Sequence, residues 1–258
     1  MVLMPPSDPA PWILLRGLTR EAGHWGDFLP LLAQAVAPHA VHAIDLPGNG
    51  ERWRERSPSS VVTLMESMRA TLRERGMEPP YRLLGLSLGA MVCVAWAQAH
   101  PREVQVAVLV NTSLRPFSPF HERLMPRSWP VLAKLLKPRA SPVDAESAIL
   151  ELTSTVVRSD VERAKLLAHW VELRQRHPVS RANAVRQLLA AARYRAPSGA
   201  PPVPLLIVGT RGDRLVSPRC SETLAKQWSR TLVQHEGAGH DLPLDDPAWL
   251  VQRVRECG

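Results

Sequence analysis

Cysteine is scarce in this sequence. Cys93, Cys220 and Cys257 are the only three, widely scattered in 258 residues. That is too few, and too poorly spaced, for a disulfide framework or a zinc cluster, so no metal is expected and a reducing, cytoplasmic location is the default. The opening MVLMPPSDPAPW has neither a basic start nor an unbroken apolar run before its prolines, and so does not read as a secretory signal. No long apolar run reads as a membrane span. The longest stretch without a formal charge, Leu83 to Pro101, is interrupted by Gly85, Ser87, Gly89, Gln98 and His100 and stops at a proline. It reads as a buried strand, turn and helix. Internal repeats and low-complexity tracts are missing too.

Charge is present but unevenly placed. Residues 115–195 carry fifteen Lys and Arg against seven Asp and Glu, which is the whole of the net charge of +8. The middle third is therefore a separate physical unit. An acidic partner would suit it: a nucleic acid, a membrane surface or an acyl carrier protein. The plainer reading is a solvated, arginine-rich helical surface, and no nucleic acid is expected.

What is there is an alternation of short apolar runs and longer helical patterns. WILL (12–15), AVHAI (40–44), YRLLG (81–85), VQVAVLV (104–110), VPLLIV (203–208) and TLVQH (231–235) read as strands, most of them apolar enough to be buried on both faces. Residues 25–36, 61–75, 90–100 and 220–228 read as helices between them. Strand–helix alternation predicts right-handed crossovers and a mostly parallel sheet of about six strands, with the site formed by loops at the strands' C-terminal ends. Residues 114–200 carry no strand signal. Prolines at 116, 119, 126, 130, 138 and 142 punctuate their first third, and 144–157, 160–176 and 180–194 then read as capped helices. APSGAPPVP (196–204) reads as a linker back to the sheet. The expectation is a core of 1–114 and 201–258 with a helical lid, 115–200, inserted between two strands.

Within LLGLSLGAMV, Ser87 lies between Gly85 and Gly89, on a turn from strand to helix. Such a turn strains the backbone and projects the hydroxyl, and the glycines give it room. A serine needs a base to take its proton and a carboxylate to orient that base. Of nine histidines, His240 in GAGHDLPLDDP follows the last strand directly. His24, in the loop after the first strand, is its rival as base and otherwise a residue of the pocket wall. His235 reads as structural, His39 and His42 bracket an earlier strand, and His121, His169 and His177 belong to the lid. Asp213 in GTRGDRLVSP sits at a strand's C-terminal end. Asp241, Asp245 and Asp246 are too near His240 to orient its ring easily, and Asp45 before Pro-Gly reads as a turn residue. The oxyanion donors would be the backbone N–H groups of Leu88 and, in the loop that turns at Gly17, of Leu18.

Ser87, Asp213 and His240, in that order and each after a strand, resemble the α/β-hydrolase fold. So do RG-L at 16–18, DLPGNG at 45–50, GLSLG at 85–89, GTRGD at 209–213 and GAGHDLPLDDP at 237–247, which together span nearly the whole chain. The branch most resembled holds small carboxylesterases of the pimeloyl-carrier-protein methyl esterase type, with related thioesterases and C–C hydrolases. The lid stretch RANAVRQLLAAARYRAP (181–197) is similar to that branch as well. The chain departs from the pattern at Arg16, where the family has His, and at Asn49, where DLPGHG would have His. The resemblance implies a serine hydrolase of esters or thioesters, acting through an acyl-enzyme without any cofactor on a small-molecule acyl substrate. C–C bond hydrolysis or a lyase reaction on the same triad, and a binding role for the basic lid, remain open at this point. Arg16, His24, Trp129 and Trp170 are candidate pocket residues, although core packing is the commoner use for the lid aromatics Trp129, Trp170 and Tyr194. The sequence leaves the acyl chain, the leaving group and the oligomeric state unspecified.

Overall fold

A computed structural model of the chain describes residues 9–135, 141–156 and 158–257. The expectations for residues 1–8, Pro138, Val157 and Gly258 lie outside the described residues. Six strands form one fully parallel sheet: β1 (Trp12–Leu15), β2 (Val41–Ala43), β3 (Tyr81–Leu86), β4 (Val104–Val110), β5 (Leu205–Thr210) and β6 (Leu232–His235), in the spatial order β2-β1-β3-β4-β5-β6. The order reverses between β1 and β3, which pair Leu15 with Gly85. Open α/β sheets form their crevice at such a reversal, so the loops after β1 and β3 are brought side by side.

Alternate residues along the strands serve two separate cores. Ile13, Leu15, Leu83, Ala107, Leu109 and Ile207 face α2 (Val61–Glu74), α3 (Leu88–Ala99) and α9 (Arg219–Trp228). Trp12, Leu14, Leu84, Leu86, Val108 and Val208 face α1 (Phe28–Ala35) and α11 (Pro247–Cys257). Period-two alternation, with apolar residues in both phases, is what lets one sheet carry helices on both sides. α2 shows how local chemistry sets an element. The Ser60 hydroxyl accepts from the Thr63 amide to cap it, and Val61, Leu64, Met65, Met68 and Leu72 form its buried stripe. Gly76, at φ 69°, ends it in a left-handed turn. α3 is different: from Leu88 to Ala97 every residue is buried, because it is wedged between the sheet and α2.

Between β4 and β5 the described residues form helices only: α4 (Phe120–Arg123), α5 (Trp129–Leu135), α6 (Pro142–Thr153), α7 (Asp160–Arg176) and α8 (Arg181–Arg193). α4 and α5 fall in the proline-rich third where no helix was expected. Pro119 stands at the N-cap of α4 and Pro130 in the first turn of α5, positions where a missing N–H costs nothing. Arg115 and Arg195 meet in an isolated bridge, and the Ala196 amide donates to the Arg115 carbonyl at 2.7 Å. The excursion thus leaves and rejoins the core at one point. After β6 come α10 (Leu242–Asp245) and α11. The other helix ends differ from expectation by a few residues; the stretch expected as 25–36 splits into a 3₁₀ turn, Ala22–Trp25, and α1.

Candidate active site

β3 runs into Ser87, whose φ of 57° and ψ of −114° lie where L-residues are strained. The turn is closed on both sides. The Ser87 amide donates to the Val110 carbonyl at 2.9 Å, and the Thr112 hydroxyl donates to the Ser87 carbonyl at 3.0 Å. A side chain at Gly89 would stand 2.1 Å from the Leu15 carbonyl oxygen, so glycine is what lets α3 approach β1. Leu88 opens α3, and its amide has no acceptor within the helix. Gly17 packs against Ser87, bringing the Leu18 loop over the same turn.

The Nδ1 atom of His240 lies 2.6 Å from Asp213 Oδ2, and both residues are buried. The other oxygen of Asp213 accepts from the amides of Leu215 and Val216, at 2.8 and 2.9 Å. This carboxylate is thereby fixed in orientation as well as position. The backbone around His240 is held by strand ends: Asn111 Nδ2 donates to the His240 carbonyl at 2.9 Å, and Thr210 Oγ1 to the Gly239 carbonyl at 2.9 Å. Asn111 sits at φ 46°, a conformation that asparagine tolerates better than most side chains. Ser87 and His240 line one chamber of about 610 Å³, together with Leu18, Arg20, Leu132, Ile149 and Leu215. A second cavity of about 640 Å³, mostly apolar, also reaches Ser87, between Met91, Leu124, Leu188 and Val216. A third cavity, of about 830 Å³, does not include the serine. Leu18 and Leu132 border all three.

The helices of the β4–β5 excursion cover this end of the sheet and are tied to its loops. Gln187 of α8, fully buried, accepts from the Thr19 amide at 2.9 Å and donates to Asn49 Oδ1 at 2.7 Å and Ser57 Oγ at 2.9 Å. Asn49 in turn donates to the Arg20 carbonyl. The asparagine that departs from the family pattern therefore locks the loop after β1 to α8. At the other end of the excursion, the Asp241 amide donates to the Thr153 carbonyl at 2.8 Å. Asp245, with its side chain fully buried, accepts from the Thr155 and Gly239 amides at 3.0 and 2.8 Å and from the Ser154 hydroxyl. The loop of His240 and the end of α6 form one hydrogen-bonded body.

The expected pocket residues separate. Arg16 borders the chamber, and its charge is met by Asp241, which lines the chamber too. Its two Nη atoms bond Asp241 at 3.0 and 2.7 Å, and the guanidinium lies 4.9 Å over the Trp25 ring. His24 lines the third cavity, which includes neither Ser87 nor His240. Its Nδ1 accepts from the Glu21 amide, and burial, reinforced by Arg20 and Arg16, holds it well below the ordinary imidazole range. Trp170 is buried beside Ile149 and Leu150, edge-on to His24, and lines none of the three cavities. Trp129 is a correction: it is 45% exposed, tilted against Phe120 and bonded to the Leu124 carbonyl on the outer side of α5. α5, with Pro130 in its first turn, places Leu132 on the cavities instead. Tyr194 packs against the core cluster under α3. Asp45 is the expected turn residue, accepting from the Ala22 and Glu51 amides.

Sequence reasoning passed over Arg20, Glu146 and Gln187, which hold the roof to the crevice; the Arg20–Glu146 partners are 126 positions apart. The only advance signal was that the RANAVRQLL stretch looked like the relatives' cap. Among the described residues no group of three or more His, Cys, Asp or Glu is arranged to hold a metal, and no helix is long and apolar enough to cross a membrane.

Comparison with known proteins agrees with this fold. "Putative carbamate hydrolase RutD" of Escherichia coli O157:H7 is 29% identical over 255 residues, covering 94% of this chain and 89% of that protein. A pimeloyl-[acyl-carrier protein] methyl ester esterase of Chromobacterium violaceum is 33% identical, but only over 92 residues, 36% of this chain and 34% of that one. Among solved structures, the enol-lactonase from Burkholderia xenovorans LB400 superposes with a TM-score of 0.75 at 20% identity, covering 98% of this chain and 92% of that chain. A thermophilic esterase from Thermogutta terrifontis gives 0.73 at 20% identity, over 96% and 89%. At those identities the structures speak for the fold alone. Residues 12–253 match the alpha/beta hydrolase family, and the chain belongs to it.

Proposed function

We propose that this α/β hydrolase is a serine-dependent enzyme that cleaves a carboxylic ester or thioester through an acyl-enzyme. The observation that carries the proposal is the 2.6 Å contact of His240 Nδ1 with Asp213, beside a strained Ser87 bordering the same chamber. In this reading Ser87 Oγ attacks the acyl carbon and His240 Nε2 takes its proton. Asp213 holds the Nδ1–H and steadies the imidazolium without itself accepting a proton. The backbone N–H groups of Leu18 and Leu88 bind the oxyanion, each worth about 3 kcal/mol in the transition state. His240 returns the proton to the departing alcohol or thiol, and water then releases the acyl group by the same route. The 115–200 segment acts as a cap whose Leu132 divides the space around the serine. The relatives named for carbamate and ester hydrolysis fit the same acyl chemistry.

An acidic carrier protein as partner gains less support. Of the cap's cations, Arg158, Arg163, Arg174 and Arg176 are spent on carboxylates and Arg123 on the Ala191 and Ala192 carbonyls. The three free thiols are compatible with the expected reducing, cytoplasmic location.

The test is turnover of short nitrophenyl esters and acyl-thioesters by wild type and Ser87→Ala. Wild type should be active and covalently labelled at Ser87 by a fluorophosphonate, and the variant should be inactive yet fold normally. Equal turnover by both would overturn the assignment.

A further inference from the structure

Arg20 reaches into the chamber of Ser87 and His240 from the loop after β1 and is only 7% exposed. It is held from two directions. Nη1 donates to Glu146 Oε2 of α6 at 2.6 Å, and the guanidinium lies 4.0 Å over the Trp170 ring. Glu146 is not Arg20's alone: its Oε1 accepts from Arg174 Nε at 2.6 Å. Burial pushes the Glu146 carboxyl up, but Arg20 and Arg174 outweigh it and keep it ionised. The second terminal nitrogen of Arg20, Nη2, is shielded from solvent and has no hydrogen-bond partner in the protein among the described residues.

The charges around the chamber do not balance. Of the carboxylates and guanidinium groups whose residues line it, Arg16 and Arg20 stand against Asp241. Asp213 lies behind the imidazole, with both oxygens taken by His240 and two amides. Arg16 has given both Nη atoms to Asp241. Among the described residues, Arg16 Nε and Arg20 Nη2 are both buried donors without an acceptor, and the Arg20–Glu146–Arg174 row carries one more cation than anion. A buried guanidinium N–H without an acceptor is costly, and an anionic oxygen is what would satisfy it best.

We propose that Arg20 is a specificity-determining residue whose free Nη2 binds a carboxylate carried by the substrate. The preferred substrates are then esters that bear a carboxylate in the same molecule, on either the acyl or the leaving-group side. This rests on the serine-hydrolase reading, and it goes beyond it by naming the group that is recognised. The Trp170 face and Glu146 hold the guanidinium in place before the substrate arrives, so little is lost in ordering it.

The test compares kcat/KM within matched pairs. Nitrophenyl half-esters of succinic, glutaric and adipic acid are set against their amide-capped counterparts, which probes the acyl side. Acetate esters of hydroxybutanoate are set against those of hydroxybutanamide, which probes the other. In wild type one series should favour the carboxylate by about tenfold to a hundredfold. Arg20→Met combined with Glu146→Gln, which removes the charge of both partners, should bring that ratio to about one, whereas Arg20→Lys should keep part of it. A merely structural role would lower both members of each pair alike and leave the ratio standing. A wild-type ratio near one in both series, or an unchanged ratio in the double variant, overturns the proposal. Calorimetry with the half-amide and the diamide of glutaric acid reads the same preference without turnover. If no ester is cleaved, the serine-hydrolase reading falls, while equal binding of the two amides would overturn the role of Arg20 by itself.

Discussion

The guanidinium of Arg16 grips the carboxylate of Asp241 through two parallel bonds, joining the loop after β1 to the residue that follows His240. Both side chains are almost wholly buried, at 3% and 4% exposure. In the proposed mechanism the pair spans the two loops that must stay in register. Arg16→Met or Asp241→Asn alone strands one buried charge and should cost about 3–5 kcal/mol of stability, with a further loss of kcat. The double replacement Arg16→Met with Asp241→Leu should recover most of the stability and little of the activity. Urea denaturation of the four members of the cycle, with kcat for each, checks both halves.

Gly89 makes a sharper steric prediction. Alanine there puts a methyl 2.1 Å from the Leu15 carbonyl, a backbone atom of β1 that cannot swing aside. Gly89→Ala should destabilise the protein by about 3 kcal/mol. Gly199→Ala, with nothing within 4 Å of its added methyl, is the control and should shift the thermal midpoint very little.

Leu132 borders all three cavities. Leu132→Ala removes the divider and should join them. The ratio of kcat/KM for long acyl esters over short ones should rise by about tenfold, since each buried methylene contributes on the order of 1 kcal/mol. A series of nitrophenyl esters of increasing chain length measures it.

Away from the site, the Arg69 guanidinium holds the Glu103 carboxyl down to about 2, against a contrary push from burial, with help from the indole N–H of Trp96. A carboxyl depressed in the folded state adds stability above its ordinary value near 4.5. That contribution fades as the pH falls from there through about 2. Glu103→Gln should be less stable than wild type at neutral pH, and the gap should narrow across that window. Urea midpoints against pH would show it.

The sheet was legible because β1, β3, β4 and β5 are short runs with apolar residues in both phases, a pattern that few other structures satisfy. The turn at Ser87 was legible for a local reason: a strand, two spaced glycines and a helix are consecutive in the chain. The wall of the crevice was not. Whether Leu132 or Trp129 faces inward depends on how α5 rolls against α6, and the residues of α5 are apolar on both sides. Arg20 and Glu146 look, in sequence, like any solvated pair of charges; only folding brings them together across 126 positions and away from water. Arg16 was visible as an anomaly, but its partner was dismissed as an orienter of His240, and no sequence spacing marks the Arg16–Asp241 contact.

The knot at Asp245 and Thr153 has a mechanical consequence. Because α6 is bonded to the segment that carries His240, that half of the roof and the His240 loop move as one body. α4 is tied in the same way to the loop of Asp213, through the Met125 amide on the Leu215 carbonyl and the Ser217 amide on the Glu122 carbonyl. Under the proposed mechanism, a molecule that pushes on α6 from inside would therefore shift the base as well.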